Sequence, residues 1–347
     1  MKNFLKNYLS TILFILLAYF FFINNQFYYD FLVKSFSITY SFFVIDSLLI
    51  FKTIIFLYII LLVPFYIVYK EKSKARIIIK CIIKFFSRKN YSINNEEKIS
   101  ILAWIVKLFF APLMIIFVSW QIFTVINNLH YSYKDLRMLN NSFYLFFQTD
   151  FFWLILWLIL LVDLTFFTIW YLIEIPILKN KIKSVEPTFF WWFVVLICYP
   201  PFNSHTSSII WWYSTDFPKF GNESIHILLN FCILLSMWIY SRASISLWLK
   251  ASNLTNRWIV KKWPYKFVRH PAYITKNIAW WIGGMPIIIW SLYSWQFKKL
   301  LLVLISLSLW TFIYYLRAIT EEKHLSLDED YIKYKKEVIY KFIPKIF

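Results

Sequence analysis

Long apolar runs separated by short polar segments organise this chain. The runs fall at about 8–23, 41–69, 101–126, 151–173, 187–200, 227–249, 277–294 and 300–318. Several exceed the roughly 18 apolar residues that mark a transmembrane helix. The pattern predicts an all-α, polytopic membrane helix bundle of about eight spans. The second run is too long for one straight span, and Lys34, Asp46 and Lys52 interrupt 31–52, which reads as a tilted or interfacial piece. The fifth run is short and ends at "CYPPF".

The polar segments orient the bundle through their lysine and arginine content. Segment 70–98 holds nine basic residues, and 250–276 holds Lys250, Arg257, Lys261, Lys262, Lys266, Arg269 and Lys276. Lys2 and Lys6 precede the first run, and the tail after Arg317 is rich in lysine. Loops 127–150 and 201–226 favour Asn, Ser and Tyr instead. Eight spans with both termini in the cytoplasm satisfy every loop, and they put 250–276 and the tail on one side.

Composition sharpens this picture. The 347 residues are 60% hydrophobic, 23% aromatic and only 16% charged, against about a quarter charged in a soluble domain. The net charge of +19 raises the possibility of nucleic acid, but the basic residues flank apolar runs. That placement suits anionic lipid head groups as partners, not nucleic acid. Cys81, Cys198 and Cys232 are far apart and form neither a disulfide framework nor a zinc pattern. The opening "MKNFLKNYLSTILFILLAYFFF" has an apolar stretch too long for a signal peptide and no small-residue cleavage site, so it reads as a retained span.

Three polar features inside this frame call for chemistry or for anchoring. In "KEKSKARIIIKCIIKFFSRK", Arg76, Lys80, Lys84 and Arg88 recur every four residues opposite isoleucines and phenylalanines. This is an interfacial amphipathic helix with a basic stripe, and simple anchoring explains it better than lipid delivery. Lys107 and Asp163 fall within spans, where charge is costly; a structural pair between them is expected. His130, His205 and His226 lie in outer segments without metal-ligand spacing and read as solvated loop residues.

The fourth feature is "WPYKFVRHPAYITKNIAWW" at 263–281. Pro271 disfavours the α conformation at His270, and Pro264 stiffens the chain before it. Tyr265, Phe267 and Tyr273 offer ring faces for a nucleobase or a cation. Arg269 and His270 offer donors for a carboxylate or phosphate. In the tail, Arg317 and Glu321 are four apart and share a helix face. Ser326-Leu327-Asp328-Glu329 reads as a capping box opening a new helix, on which Tyr331, Tyr334 and Val338 share one face.

Arg-His-Pro-x-Tyr, a helical hairpin, then Arg-x-x-x-Glu-Glu-x-x-Leu and Tyr-x-x-Tyr together resemble the isoprenylcysteine carboxyl methyltransferase and phospholipid N-methyltransferase family of integral membrane enzymes. The resemblance covers about 250–340. It divides the chain into 1–226, N-terminal transmembrane helices of unknown role with the basic segment at 70–98, and 227–347, a methyltransferase-like region. It implies an S-adenosylmethionine pocket on the cytoplasmic face. Tyr265, Arg269, His270, Pro271, Ala272 and Tyr273 would line the cofactor, with Arg257, Trp258, Ile259 and Val260 along one edge. Glu321 would also bind cofactor, and Arg317 would face a lipid or lipidated acceptor; both count as catalytic. Alignment for in-line methyl transfer can supply roughly 7–11 kcal/mol. A carboxylate acceptor needs no base, whereas an amine would lose its proton to Glu321 or Glu322. Trp263 and Thr275 stand where the family often has glycine, which makes the loop bulkier. Two other readings are an NADPH-dependent membrane sterol or lipid reductase, suggested by "YKKEVIYKFIPKIF", and a non-enzymatic transporter or scaffold. With three glycines and no repeat, the transporter reading lacks the broken, symmetric spans such folds use.

Overall fold

The computed structural model describes residues 2–34, 37–40, 43–87, 90–136, 143–175, 178, 180–251 and 253–344. The described chain is dominated by helices, with two short antiparallel strand pairs. The first half comprises α1 (Lys2–Asn24), α2 (Gln26–Lys34), α3 (Ser47–Val68), α4 (Lys74–Ser87), α5 (Asn95–Leu136), α6 (Phe143–Phe146) and α7 (Phe152–Leu172). The second half adds α8 (Phe189–Leu196), α9 (Phe202–Ile210), α10 (Glu223–Leu247), α11 (Pro271–Tyr293), α12 (Phe297–Leu325) and α13 (Glu329–Glu337).

Among the described residues, six helical stretches are long and apolar enough to cross a membrane: 3–24, 47–68, 95–129, 143–172, 223–247 and 297–325. Their outward faces carry large apolar side chains such as Phe20, Phe56, Leu61 and Phe312. Water would penalise such surfaces, whereas lipid accepts them. A multi-pass membrane protein follows. The expected span at 277–294 is the 23-residue α11, which is long enough but lies outside the six because Lys276, Asn277 and its tryptophans dilute its hydropathy.

Two expectations are corrected here. The run 187–200 is not a helical span: α8 has eight residues, about 12 Å at 1.5 Å each, and hydrocarbon is about 30 Å thick. Pro200 and Pro201, which bring no N–H, stop the helix, and the chain turns into α9. Segment 211–222 then runs without regular structure against the α11–α12 hairpin, where Ser306 Oγ and Trp310 Nε1 donate to the Trp211 carbonyl at 2.7 and 3.4 Å. The start of the second run is not one tilted piece either. β1 (Ser37–Tyr40) pairs antiparallel with β2 (Phe43–Asp46). Asp46 then caps α3 by accepting from the Leu49 N–H at 2.6 Å, because a short carboxylate satisfies an orphan helix donor better than another apolar residue.

α4 confirms the amphipathic reading. It buries Ala75, Ile77, Ile78 and Cys81 against α1 and α5, while Ile82, Phe85 and Phe86 stay exposed beside the basic stripe. Arg88 lies outside the described residues. Lys107 pairs with Glu174 at 2.8 Å rather than with Asp163. Asp163 is buried against Ser244 and Tyr240 of α10 instead. The two residues sit on antiparallel α5 and α7 at different heights, which sequence distance could not show. His226 is also not solvated: it is buried in the first turns of α10 against Phe217. His205 is exposed on α9, and the His130 side chain lies outside the described residues.

Three associations place the candidate site. α5 packs on α7 through Phe110, Leu113, Met114 and Tyr171. α7 joins α10 and α11 through Leu156, Ile233, Leu234 and Ala279, across the boundary at 226. β3 (Ser184–Val185) pairs antiparallel with β4 (Thr255–Asn256), with Ser184 opposite Asn256. This small pair ties the segment after α7 to the loop before α11.

Candidate functional site

The loop before α11 and the tail after α12 are held together by one buried guanidinium. Arg269 Nε donates to Glu322 Oε1 at 2.7 Å, and Nη1 donates to the carbonyls of Val338 and Ile339 at 2.8 and 2.6 Å. The backbone N–H groups of Arg269 and His270 donate to the carbonyls of Tyr340 and Lys341 at 3.0 and 3.1 Å. His270 Nε2 lies 3.0 Å from the same Glu322 oxygen. Residues more than fifty positions apart therefore share one buried carboxylate. As Pro271 demands, His270 is non-helical, at φ −126° and ψ 56°, and Pro271 opens α11 at its first turn, where a missing N–H costs nothing.

The ring of Tyr273 stacks on His270 with centroids 5.5 Å apart and planes 3° from parallel. Its hydroxyl donates to Glu321 Oε2 at 2.9 Å. Glu321 is half-exposed while Glu322 is buried. Phe342 of the tail covers His270 with a centroid distance of 5.6 Å.

Arg317 lies one turn before Glu321 and is buried. Its guanidinium carbon sits 4.9, 5.3 and 5.8 Å from the ring centroids of Tyr314, Tyr273 and Tyr199. Nη2 donates to Asn253 Oδ1 at 3.0 Å, and Nε has no hydrogen-bond partner. Asn253 is itself fixed by the hydroxyls of Tyr171 and Tyr199. Leu254 beside it adopts φ 62°, a left-handed conformation that costs a residue with a Cβ about 1–2 kcal/mol.

Arg317, Glu321, Tyr273 and Asn253 line a cleft of about 60 Å³ together with Glu186 and His324. Glu186 Oε2 lies 3.0 Å from His324 Nδ1, off the line of a hydrogen bond, and His324 Nε2 lies 3.1 Å from Ser184 Oγ. The cleft thus combines an anion-binding cation, aromatic faces, a half-exposed carboxylate and a buried histidine–glutamate pair. These groups can orient an anion and move a proton. The volume is far below the roughly 300–1,000 Å³ of ordinary ligand sites, so the described arrangement encloses reacting groups but not a nucleoside. For S-adenosylmethionine the donor types fit in kind, and Arg317 Nε is a buried donor left without a partner.

The remaining predicted residues are distributed around this cleft. Arg257 is fully buried and donates to the carbonyls of Asn180 and Trp170, both at 2.9 Å. That makes it a staple between the loop and the end of α7 rather than a group open to a ligand. Trp258 is exposed and carries Lys183 over its ring at 4.2 Å. Ile259 and Tyr265 pack on Tyr331, Tyr334 and Val338, the predicted face of α13; Val260 and Ala272 are half-buried. The α13 cap is Asp328, accepting from Asp330 N at 3.0 Å, not Ser326. Ser326 still belongs to the last turn of α12 and donates to the Glu322 carbonyl.

Sequence reasoning missed Asn253, Tyr199, Glu186 and His324. Glu186 and His324 are more than a hundred residues apart and joined only by the fold, and Asn253 sits in a loop without a motif. The chain matches no family model, and no curated protein or solved structure shows significant similarity to it.

Proposed function

We propose that the protein is an integral membrane methyltransferase that moves a methyl group from S-adenosylmethionine to an acceptor dissolved in the lipid. The observation that carries the reading is Arg317, a buried cation with one donor left unpaired, ringed by tyrosines and flanked by Glu321 at one end of the helical bundle. When bound, the cofactor supplies an electrophilic methyl group on a sulfonium. Arg317 would hold an acceptor carboxylate in line, where alignment is the main requirement. With an amine acceptor, Glu321 or the His324–Glu186 pair would take the proton. Tyr273 and Glu321 would face the cofactor, His270 would brace Tyr273 by stacking, and Trp258, Ile259 and Val260 would border the site. Room for the nucleoside requires residues 338–344 to move off His270.

In this reading the chain crosses eight times, with both termini in the cytoplasm. The crossings are the six apolar helices, α11, and the broken segment 187–222. Support comes from the hairpin geometry: the start of α11 touches the end of α12 through Tyr273 and Glu321.

The test is thermal unfolding of the purified protein with S-adenosylmethionine, S-adenosylhomocysteine or NADPH, followed by transfer of radiolabelled methyl into total lipid versus membrane protein. Stabilisation by the first two and label in lipid are expected. Stabilisation by NADPH alone would replace the reading with a reductase. Arg317→Ala should keep cofactor binding and lose transfer. His270→Ala should weaken cofactor binding, because it removes the ring that stacks on Tyr273.

A further inference from the structure

A large cavity lies in the N-terminal region and shares no lining residue with the Arg317 cleft. It has a volume of about 1320 Å³, above the roughly 300–1,000 Å³ of pockets for drug-sized ligands. α1, α3, α4 and α5 enclose it together with the segment after α7. Most of its wall is apolar, with Ile15, Phe22, Phe51, Ile55 and Leu62 at membrane depth. Pro64 of α3 and Pro112 of α5 both line it. Each lacks the N–H of a continuous helix and crowds the preceding turn.

The α4 end of the cavity is chemically different. Lys74 and Lys107 both pair with Glu174, Lys107 at 2.8 Å. Arg257 acts on the same carboxylate from behind. Burial alone would push the Glu174 carboxyl up, yet Lys107, Lys74 and Arg257 together hold it below the usual carboxylate range. Three cations thus share one carboxylate, and Arg257 Nη1 and Nη2 donate to neutral carbonyls. An excess of positive charge at the base of an apolar chamber is costly unless an anion completes it. Lys70, Lys72 and Arg76 also line this wall, beside Glu96 and beside Glu71, which pairs with Lys181 at 2.7 Å, and the cations still outnumber the carboxylates.

We propose that this cavity is a binding site for one anionic phospholipid, with its acyl chains between α1, α3 and α5 and its phosphate on Lys74 and Lys107. Apolar volume recognises the chains, and the unbalanced cations select the head group. The site is independent of methyl transfer, and it gives the first two hundred residues a role that their helices alone do not explain.

The test uses the full chain in nanodiscs of equal phosphatidylglycerol and phosphatidylcholine, released into native mass spectrometry. Retention of one phosphatidylglycerol, favoured about tenfold or more over phosphatidylcholine, is expected because both lipids offer the phosphate but the choline cation of phosphatidylcholine sets a like charge beside the lysines. Lys74→Gln with Lys107→Gln should erase the preference. Ile55→Trp keeps every charge and narrows the apolar part of the cavity, so it should weaken retention while size-exclusion behaviour stays normal. Unselective retention, or none, by the wild type would overturn the proposal, as would undiminished retention by Ile55→Trp. Glycerol 3-phosphate, which has the head-group chemistry but no chains, should not raise the unfolding temperature. If it stabilises as well as phosphatidylglycerol, the site serves a soluble phosphate and the lipid proposal fails.

Discussion

Replacing Glu322 with glutamine removes one charge from the centre of the loop–tail clamp and leaves the shape almost unchanged. Arg269 and Glu322 have side chains each 6% exposed, so the arginine would become a buried cation without its carboxylate. Breaking such a pair from one side costs roughly 3–5 kcal/mol. Arg269 keeps the Val338 and Ile339 carbonyls, which places the loss near the lower figure, about 3 kcal/mol. The same change at Glu321 should cost at most about 1 kcal/mol, because that carboxylate is half-exposed and screened by solvent. Unfolding of both variants in mixed micelles measures the contrast, and limited proteolysis after residue 338 measures release of the tail. Glu322→Gln should lower stability and expose the tail, whereas Glu321→Gln should do neither. Equal losses, or an unshifted Glu322→Gln, would show that the two short contacts to Arg269 and His270 are not what joins the segments.

Glu174→Gln should destabilise the protein by more than Lys107→Met, since it strands Lys74, Lys107 and Arg257 together, whereas the lysine change leaves Glu174 two cations; unfolding of the two variants side by side decides. Gly283→Ala puts a Cβ onto Ser214 Oγ and the Thr215 carbonyl, while Gly221→Ala meets open space; the first should cost about 1–3 kcal/mol as an overpacked contact, and the second should be silent in the same assay. Burial would push the Asp328 carboxyl up, but Lys183 and Asn256, each at 2.9 Å, hold it below its ordinary value. A depressed folded pKa gives stability that is complete above the unfolded value of about 3.9 and is lost as pH falls through the folded value. Acid should therefore loosen the start of α13, seen as protease sensitivity near residue 328, and Asp328→Asn should remove that pH dependence.

The helices with continuous apolar sequence were legible because twenty apolar residues have few alternatives in water. The basic stripe of α4 and the shared face of Tyr331, Tyr334 and Val338 were legible for the same reason, since helical spacing alone places them together. What failed depended on distance in space. Lys107 and Asp163 were the charges visible inside spans, yet the partner of Lys107 is Glu174, just beyond the end of α7. His226 looked solvated because the segment just before it, Gly221 to Ser224, is polar, but Phe217 and Tyr144 close over it from elsewhere. The run 187–200 had span-like composition, and its two prolines were the local signal that outweighed it.

The adjacent glutamates Glu321 and Glu322 show how a single helix turn separates structure from chemistry. Successive residues on α12 point about 100° apart, the consequence of 3.6 residues per turn. One carboxylate therefore faces Arg269 and His270 and is buried; the next faces Tyr273 and the cleft and stays half in solvent. Arg317, four residues before Glu321, shares the second direction. A Glu-Glu pair in sequence gives no reason to assign the two members different tasks. The neighbouring loop does, because Arg269 and Tyr273 are themselves four apart across the start of α11 and reach the two carboxylates separately. Shifting the α12 register by one residue would put Glu322 in the cleft and Lys323 under the tail, or Glu321 under the tail and Thr320 in the cleft. The pairing of loop and tail thus fixes which carboxylate is available to a ligand before any ligand arrives.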